Sequence, residues 1–356
     1  MATCTWDGGT DNWNDAANWN TDGATDRVPI TGDDVVINTA GATVTLDVHI
    51  GGGQTNTGLG SLTITLGTLD TNDGSNRMLT VTGNTRIGPA SGGADQATLT
   101  CNGSDISLGS GLTSDFGLTV VKGGTFDGGS GNHTIGSINV ANFADAKMDF
   151  TSGNTTVDSE KTSENRNIIT NVSSTVTHSN GTIIMTFAGN TEISWESTTS
   201  GNEGPYNFTV NHASAIQRSR RSPFRVLNNL TITAGQYNTL SGDSGADLDL
   251  TVTGVVTLVD GDLFLNSSAV SIGGFSVTGD GEMTGTTHSD GLIVLGNWRS
   301  AANRFINADG KVVFKGTSGG TIAMNSVGSA GTGFYDVEIN IAGQTYSVSE
   351  FDLVAI

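Results

Sequence analysis

Residues 61–69 read SLTITLGTL: Leu62, Ile64 and Leu66 alternate with Thr63 and Thr65, so one face of an extended chain is aliphatic and the other carries hydroxyls. A helix would space its apolar residues three and four apart; a period of two predicts a strand. Outward from this stretch the pattern recurs in DDVVINTAGATVTLDVHI (33–50), RMLTVTGNTRI (77–87), GLTVVKGGTF (117–126), NNLTITAGQY (228–237), DLTVTGVVTLVDGDLFL (249–265) and KVVFKGT (311–317). Gly, Asn and Asp bound these runs and tolerate the positive φ that corners need.

Several runs are copies of one another. Leu62-Thr63-Ile64-Thr65 returns as Leu230-Thr231-Ile232-Thr233, and Leu79-Thr80-Val81-Thr82-Gly83 returns as Leu250-Thr251-Val252-Thr253-Gly254, in the same order and at nearly the same offset. A second family joins THSNGTIIM (177–185) to THSDGLIVL (287–295), then residues 206–211 to 335–340, at two unequal offsets, so insertions sit between its parts. That register sets 224–227 against 351–354, so the chain reads as stopping within a repeat. Short repeated strands with glycine corners and variable spacing predict an all-β fold, a right-handed parallel β-helix or β-solenoid of roughly 14 coils. Residues 1–50 read as an N-terminal cap with the first strands. Residues 51–356 read as the repetitive solenoid, with related segments near 62–83 and 230–254 and near 177–211 and 287–340. Tandem β-sandwich domains are the alternative, because Asn180-Gly181 and Asp290-Gly291 are hairpin-forming dipeptides.

Composition agrees with strands and turns. Only 14% of the 356 residues are charged and 51 are glycine, whereas long helices need charged solvent faces. A formal net charge of −20 turns the bulk surface away from nucleic acid and anionic membranes and favours cations. No apolar run approaches the ~20 residues of a membrane span, and MATCTWDGGTDNW lacks the basic and apolar regions of a signal peptide. The expectation is therefore no membrane insertion, no nucleic-acid partner, and a route out of the cell other than a signal peptide. Cys4 and Cys101 are too few for a disulfide framework and too isolated for a zinc site, so they read as buried or free thiols.

Three of the five tryptophans, Trp6, Trp13 and Trp19, fall within fourteen residues among Gly8, Gly9, Asn12 and Asn18. Such a cluster suits a cap over the open end of a β stack, each indole burying its rings while its N–H bonds a carbonyl; an aromatic platform for sugar is the competing reading. Trp6, Gly8-Gly9, Asn12-Trp13 and Asn18-Trp19, followed by Val28-Pro29 and Gly32-Asp33-Asp34-Val35-Val36-Ile37, resemble the start of β-helical passenger regions in bacterial adhesins and of large β-rich structural proteins of bacteriophages. The resemblance covers about the first forty residues. It implies a β-helix and a structural or attachment role, and it carries no catalytic residues. In adhesins the motif follows a signal peptide, whereas here it begins close to Met1, which favours the phage reading.

Little else points to chemistry. Asp33-Asp34 stand together where a strand begins, a place where acids commonly end turns. A glycosidase needs two carboxyls at a diagnostic separation, and the scattered acids offer none. Asp70 and Asp73 in one acidic turn and Asp243 and Asp247 in another are the candidate Ca²⁺ ligands, and calcium is the only cofactor the sequence suggests; Asx turns explain the same residues. His178 and His288 hold equivalent repeat positions and read as turn residues. No nucleophile elbow, zinc-protease or nucleotide-binding signature is present. Arg218, Arg220, Arg221 and Arg225 gather four of 15 basic residues into eight positions, a solvated loop or a docking patch for an acidic neighbour.

The expected function is a non-enzymatic virion structural protein of a bacteriophage: a head fibre, capsid decoration or tail-fibre component that contacts other virion proteins and copies of itself. The alternatives are a bacterial surface adhesin or extracellular filament subunit, and a polysaccharide-binding or -degrading spike that meets a host-surface glycan.

Overall fold

The computed structural model describes every residue except 24, 90–95, 197–200, 202, 243, 301–302, 325–331, 342, 344 and 350–356. The described chain is all-β, with parallel strands stacked as a β-solenoid and a single 3-10 turn at Ala16–Asn18. It divides into two compact units, Met1–Ile183 with Trp195–Glu203 and Ile184–Ser194 with Gly204–Ile356. No helix among the described residues is long and apolar enough to cross a membrane.

In the first unit each full coil contributes three short strands, and equal positions of successive coils pair in register. One stack runs Val35, Leu62, Thr85, Leu118, Ile138, Ile168. A second runs Val44, Leu69, Leu99, Phe126, Met148, Val176. The third runs Val81, Leu108, Ile135, Val157. All these side chains are buried, so the alternation read from SLTITLGTL is the alternation between core and solvent as far as Ile64 and again from Gly67; at the bulge Leu66 leaves that face and is only half-buried. The second unit repeats the plan with stacks that run through Leu230, Tyr237 and Leu250, and its core is more aromatic, with Phe275, Phe305 and Phe314 packed around the Trp298 ring.

Strand direction excludes the β-sandwich alternative. The hairpin dipeptides Asn180-Gly181 and Asp290-Gly291 close corners into Thr182–Met185 and Leu292–Val294, strands that continue the coil. Among the strand registers described, the one antiparallel pair is Thr3–Trp6 with Trp19–Thr21, in the tryptophan-rich N-terminal segment. The two units together hold about 11 turns rather than roughly 14. Coil length is the reason: the coil that carries Thr85 round to its partner Leu118 is far longer than the one from Leu118 to Ile138, and such long corners use up chain without adding a turn.

The sequence repeat is a structural repeat. Strand Ser61–Asp70 pairs across a bulge with Asp34–Thr45, and Leu230–Asn238 pairs across an equivalent bulge with Asn207–Ser219. Gly67 and Gly235, at matching places in the two copies, lie beneath the two bulges with φ of 81° and 82°. The next corner is copied as well. Thr71 Oγ1 donates to Cys101 O at 2.8 Å and Thr239 Oγ1 to Leu265 O at 2.8 Å. Asn102 and Asn266, both at positive φ, donate to Asp70 and Asn238. His178 and His288 share a turn, each Nδ1 accepting the backbone N–H two residues on. Residues 207–210 and 336–339 fall on different stacks of the second unit, so the similarity of 206–211 to 335–340 is not a shared place in the coil. Residues 351–354 lie outside the described residues.

Candidate functional site

The three tryptophans of the N-terminal segment are fully buried and pack edge to face, Trp6 on Trp19 with centroids 5.0 Å apart and Trp13 on Trp19 at 4.6 Å. Trp6 and Trp19 are cross-strand partners, which brings their rings together. Trp6 Nε1 donates to Gly9 O and Trp19 Nε1 to Trp13 O, whereas Trp13 Nε1 has no partner among the described residues. Burial gives these rings no solvent face on which a sugar could stack.

Beside them lies a feature the sequence did not announce. Asp33 is buried, and its carboxylate accepts from Arg27, from the backbone N–H groups of Ile30 and Ala2, and from Cys4 Sγ. Burial alone would raise its pKa, but the Arg27 guanidinium and the two N–H groups hold it well below the carboxylate range. Asp34 accepts from Ser61 Oγ instead, so the adjacent acids do not form a catalytic pair. Both thiols are free and buried; desolvation pushes the Cys4 pKa up and that of Cys101 well up, which suppresses thiolate reactivity.

The four arginines do not share one surface. Arg220 is buried with its Nε 3.1 Å from Glu192 Oε2, and Arg218 is half-buried beside the same glutamate on the neighbouring strand. Arg221 and Arg225 are exposed. Any docking through this segment therefore uses those two. Asp70 accepts from Asn72 N and Asn102 Nδ2, while Asp73 is ion-paired with Arg77 at 2.6 Å. Asp247 is exposed, and Asp243 lies outside the described residues. The structural counterpart of Asp70 is the uncharged Asn238, so this corner needs an acceptor and not a charge. Among the described residues no group of three or more His, Cys, Asp or Glu side chains is placed to hold a metal.

Two concave surfaces of the first unit stand out. One groove of about 770 Å³ flanks the cap, between Val28, Pro29 and Ile30 on one side and Asp47, Val48 and His49 on the other. Its polar groups are largely committed: Arg77 to Asp73, Asn56 to Pro29 O, and His49 Nδ1 to Met78 N. The second, about 390 Å³, lies on the outer face of the stack through Thr85 and Leu118. Arg86, Thr119, Asn139 and Ile169 are consecutive outward residues there, each in register with the next. Lys161 and Glu164 wall it, and Lys161 sits 4.8 Å from the centre of the Phe116 ring. Sequence reading missed this groove because the rungs that build it are separated by long and unequal stretches of chain.

No family model matches the chain, and no curated protein or solved structure matches it either.

Proposed function

We propose that this protein is a non-enzymatic structural and attachment component of a bacteriophage particle: a head fibre, capsid decoration or tail-fibre part. The observation that carries the reading is the division of labour in the coil. Mostly aliphatic and aromatic residues point inward along the stacks, while the outward positions are mostly Thr, Ser and Asn, as in the row Thr80, Ser107, Thr134, Thr156. Such a scaffold spends its sequence on a continuous core and presents a polar contact surface. The N-terminal resemblance supports the same role, and the net charge of −20 suits a surface component that must stay soluble at high local density. The bacterial adhesin reading shares that motif and scaffold; the outer groove favours the attachment half of either.

Immunogold labelling separates them. Antibody raised against the purified chain is expected to decorate phage particles from the producing culture, and the gene to stand among capsid and tail genes. Label confined to the bacterial surface, with secretion genes alongside, overturns the virion reading in favour of the adhesin.

A further inference from the structure

We propose that the outer groove formed by Asn84, Arg86, Thr119 and Asn139 binds a carboxylate-bearing oligosaccharide, a short glycan that sets one uronic-acid residue against Arg86. The proposal rests on the attachment half of the reading above and adds the class of ligand and its site.

Arg86 is the anchor. It projects outward from Thr85–Ile87, is half-buried at the groove floor, and its guanidinium makes one weak contact, 3.4 Å to Pro89 O. Among the described residues it has no acidic partner, although Asp and Glu outnumber Lys and Arg by 35 to 15. The other two cations of the groove are already used: Lys161 pairs with Glu164 at 2.9 Å, and Arg166 with the same carboxylate at 3.0 Å. A guanidinium open to one side, with two donors in a fixed fork, matches a carboxylate.

The groups around it set the rest of the ligand. The Asn84 and Asn139 side-chain amides make no hydrogen bond among the described residues, and each can donate twice and accept once or more; Thr119 adds a hydroxyl. Neutral groups that both donate and accept fit the hydroxyls of a sugar. Arg86, Thr119 and Asn139 occupy three successive rungs, so they span two rung spacings, about 10 Å, which is a length for an oligosaccharide rather than a single ring. Ile169 is next in the row and lines the groove, but it is buried and offers little surface to a sugar ring. Asp115 and Glu164 on the wall oppose a multiply charged ligand, so a polyphosphate or nucleic acid is disfavoured where a single carboxylate per site is accepted.

Isothermal titration of the full chain with a cellotriose-type trisaccharide bearing one glucuronate residue and with cellotriose, which has the same skeleton with neutral hydroxymethyl groups, tests the proposal. Wild type is expected to bind the uronate at least tenfold more tightly than cellotriose, and the preference should shrink as salt rises. R86Q should lose that preference, N139A should weaken both ligands, and neither should shift the melting temperature, because both side chains point outward. No heat with the uronate, an unchanged preference in R86Q, or displacement of the uronate by inorganic phosphate at equal concentration overturns it. The particle-labelling result is independent of this titration, so a failed sugar site and a failed virion assignment are distinguishable.

Discussion

His133 carries the sharpest consequence at the scale of one residue. It points into the core between Ile106 and Thr155 of adjacent coils and sits edge-on to Phe126, with neither ring nitrogen hydrogen-bonded among the described residues. Burial pushes its pKa down to about 4, with Asp105 opposing in part. The unfolded chain, with an ordinary histidine near 6.5, therefore binds more protons than the folded one between those values. Stability from keeping this ring neutral is fully present above pH 6.5 and is lost as pH falls toward 4, in total about 3 kcal/mol. The depressed carboxylate of Asp33 acts in a different window, its contribution vanishing only as pH drops below the usual carboxylate range. Urea unfolding of wild type and H133L at pH 7 and pH 4.5 isolates the histidine. The substitution should flatten the acid sensitivity between those two values, and parallel curves for the two proteins would show that His133 is not its source.

Among the elements, the two bulged strand pairs make the strongest demand on sequence. At Gly67 a Cβ would lie 2.6 Å from Thr39 O, and at Gly235 2.4 Å from His212 O, both in the left-handed region where side chains are strained even without a clash. G67A and G235A should each cost more than about 1 kcal/mol by chemical denaturation, with similar losses because the surroundings are copies. G9A, where an added methyl meets nothing within 4 Å, should be close to neutral and serves as the control. Losses at Gly67 and Gly235 no larger than the control's would mean that the bulges adjust without strain. These elements also mark what a sequence can tell. Strand identity, the inward set Leu62, Ile64 and Leu69, the long-range LTIT and LTVTG repeat and the clustering of the three buried tryptophans were legible because each depends on neighbours a few residues away or on an identical string elsewhere. The number of coils was not, since corner loops vary in length without leaving a periodic trace. Nor was the inward turn of Arg220. Alternation in Asn207–Ser219 buries Gln217, whose Oε1 accepts from Thr191 Oγ1, and Ser219, whose hydroxyl bonds that of Tyr237, and polar residues in core positions give no apolar signal. The groove around Arg86 and the Arg27–Asp33 pair likewise depend on which residue the fold sets beside which.

At the scale of the whole molecule, the parallel stack within each of its two units makes stability a matter of nearest neighbours: a coil rests on the coil before it and carries the coil after it. Damage should therefore propagate along the stack and weaken with distance, unlike the all-or-none loss of a small globular domain. Trp19 offers a clean place to begin. Its ring touches Trp6 and Trp13, and its strand pairs with Thr3–Trp6, which in turn lies parallel to Asp34–Thr45. W19A removes about 3–5 kcal/mol of packing at that end. In hydrogen exchange the amides of Thr3–Trp6 and Asp34–Thr45 should lose much of their protection, while those of Val270–Val277 and Leu292–Val294 in the second unit keep wild-type rates. Equal acceleration in both units would mean that the chain opens as one cooperative body, and the independence of its coils would have to be abandoned. Protection that is graded instead would set the distance over which one coil supports the next, and with it how far an altered groove or corner can be tolerated without loss of the scaffold.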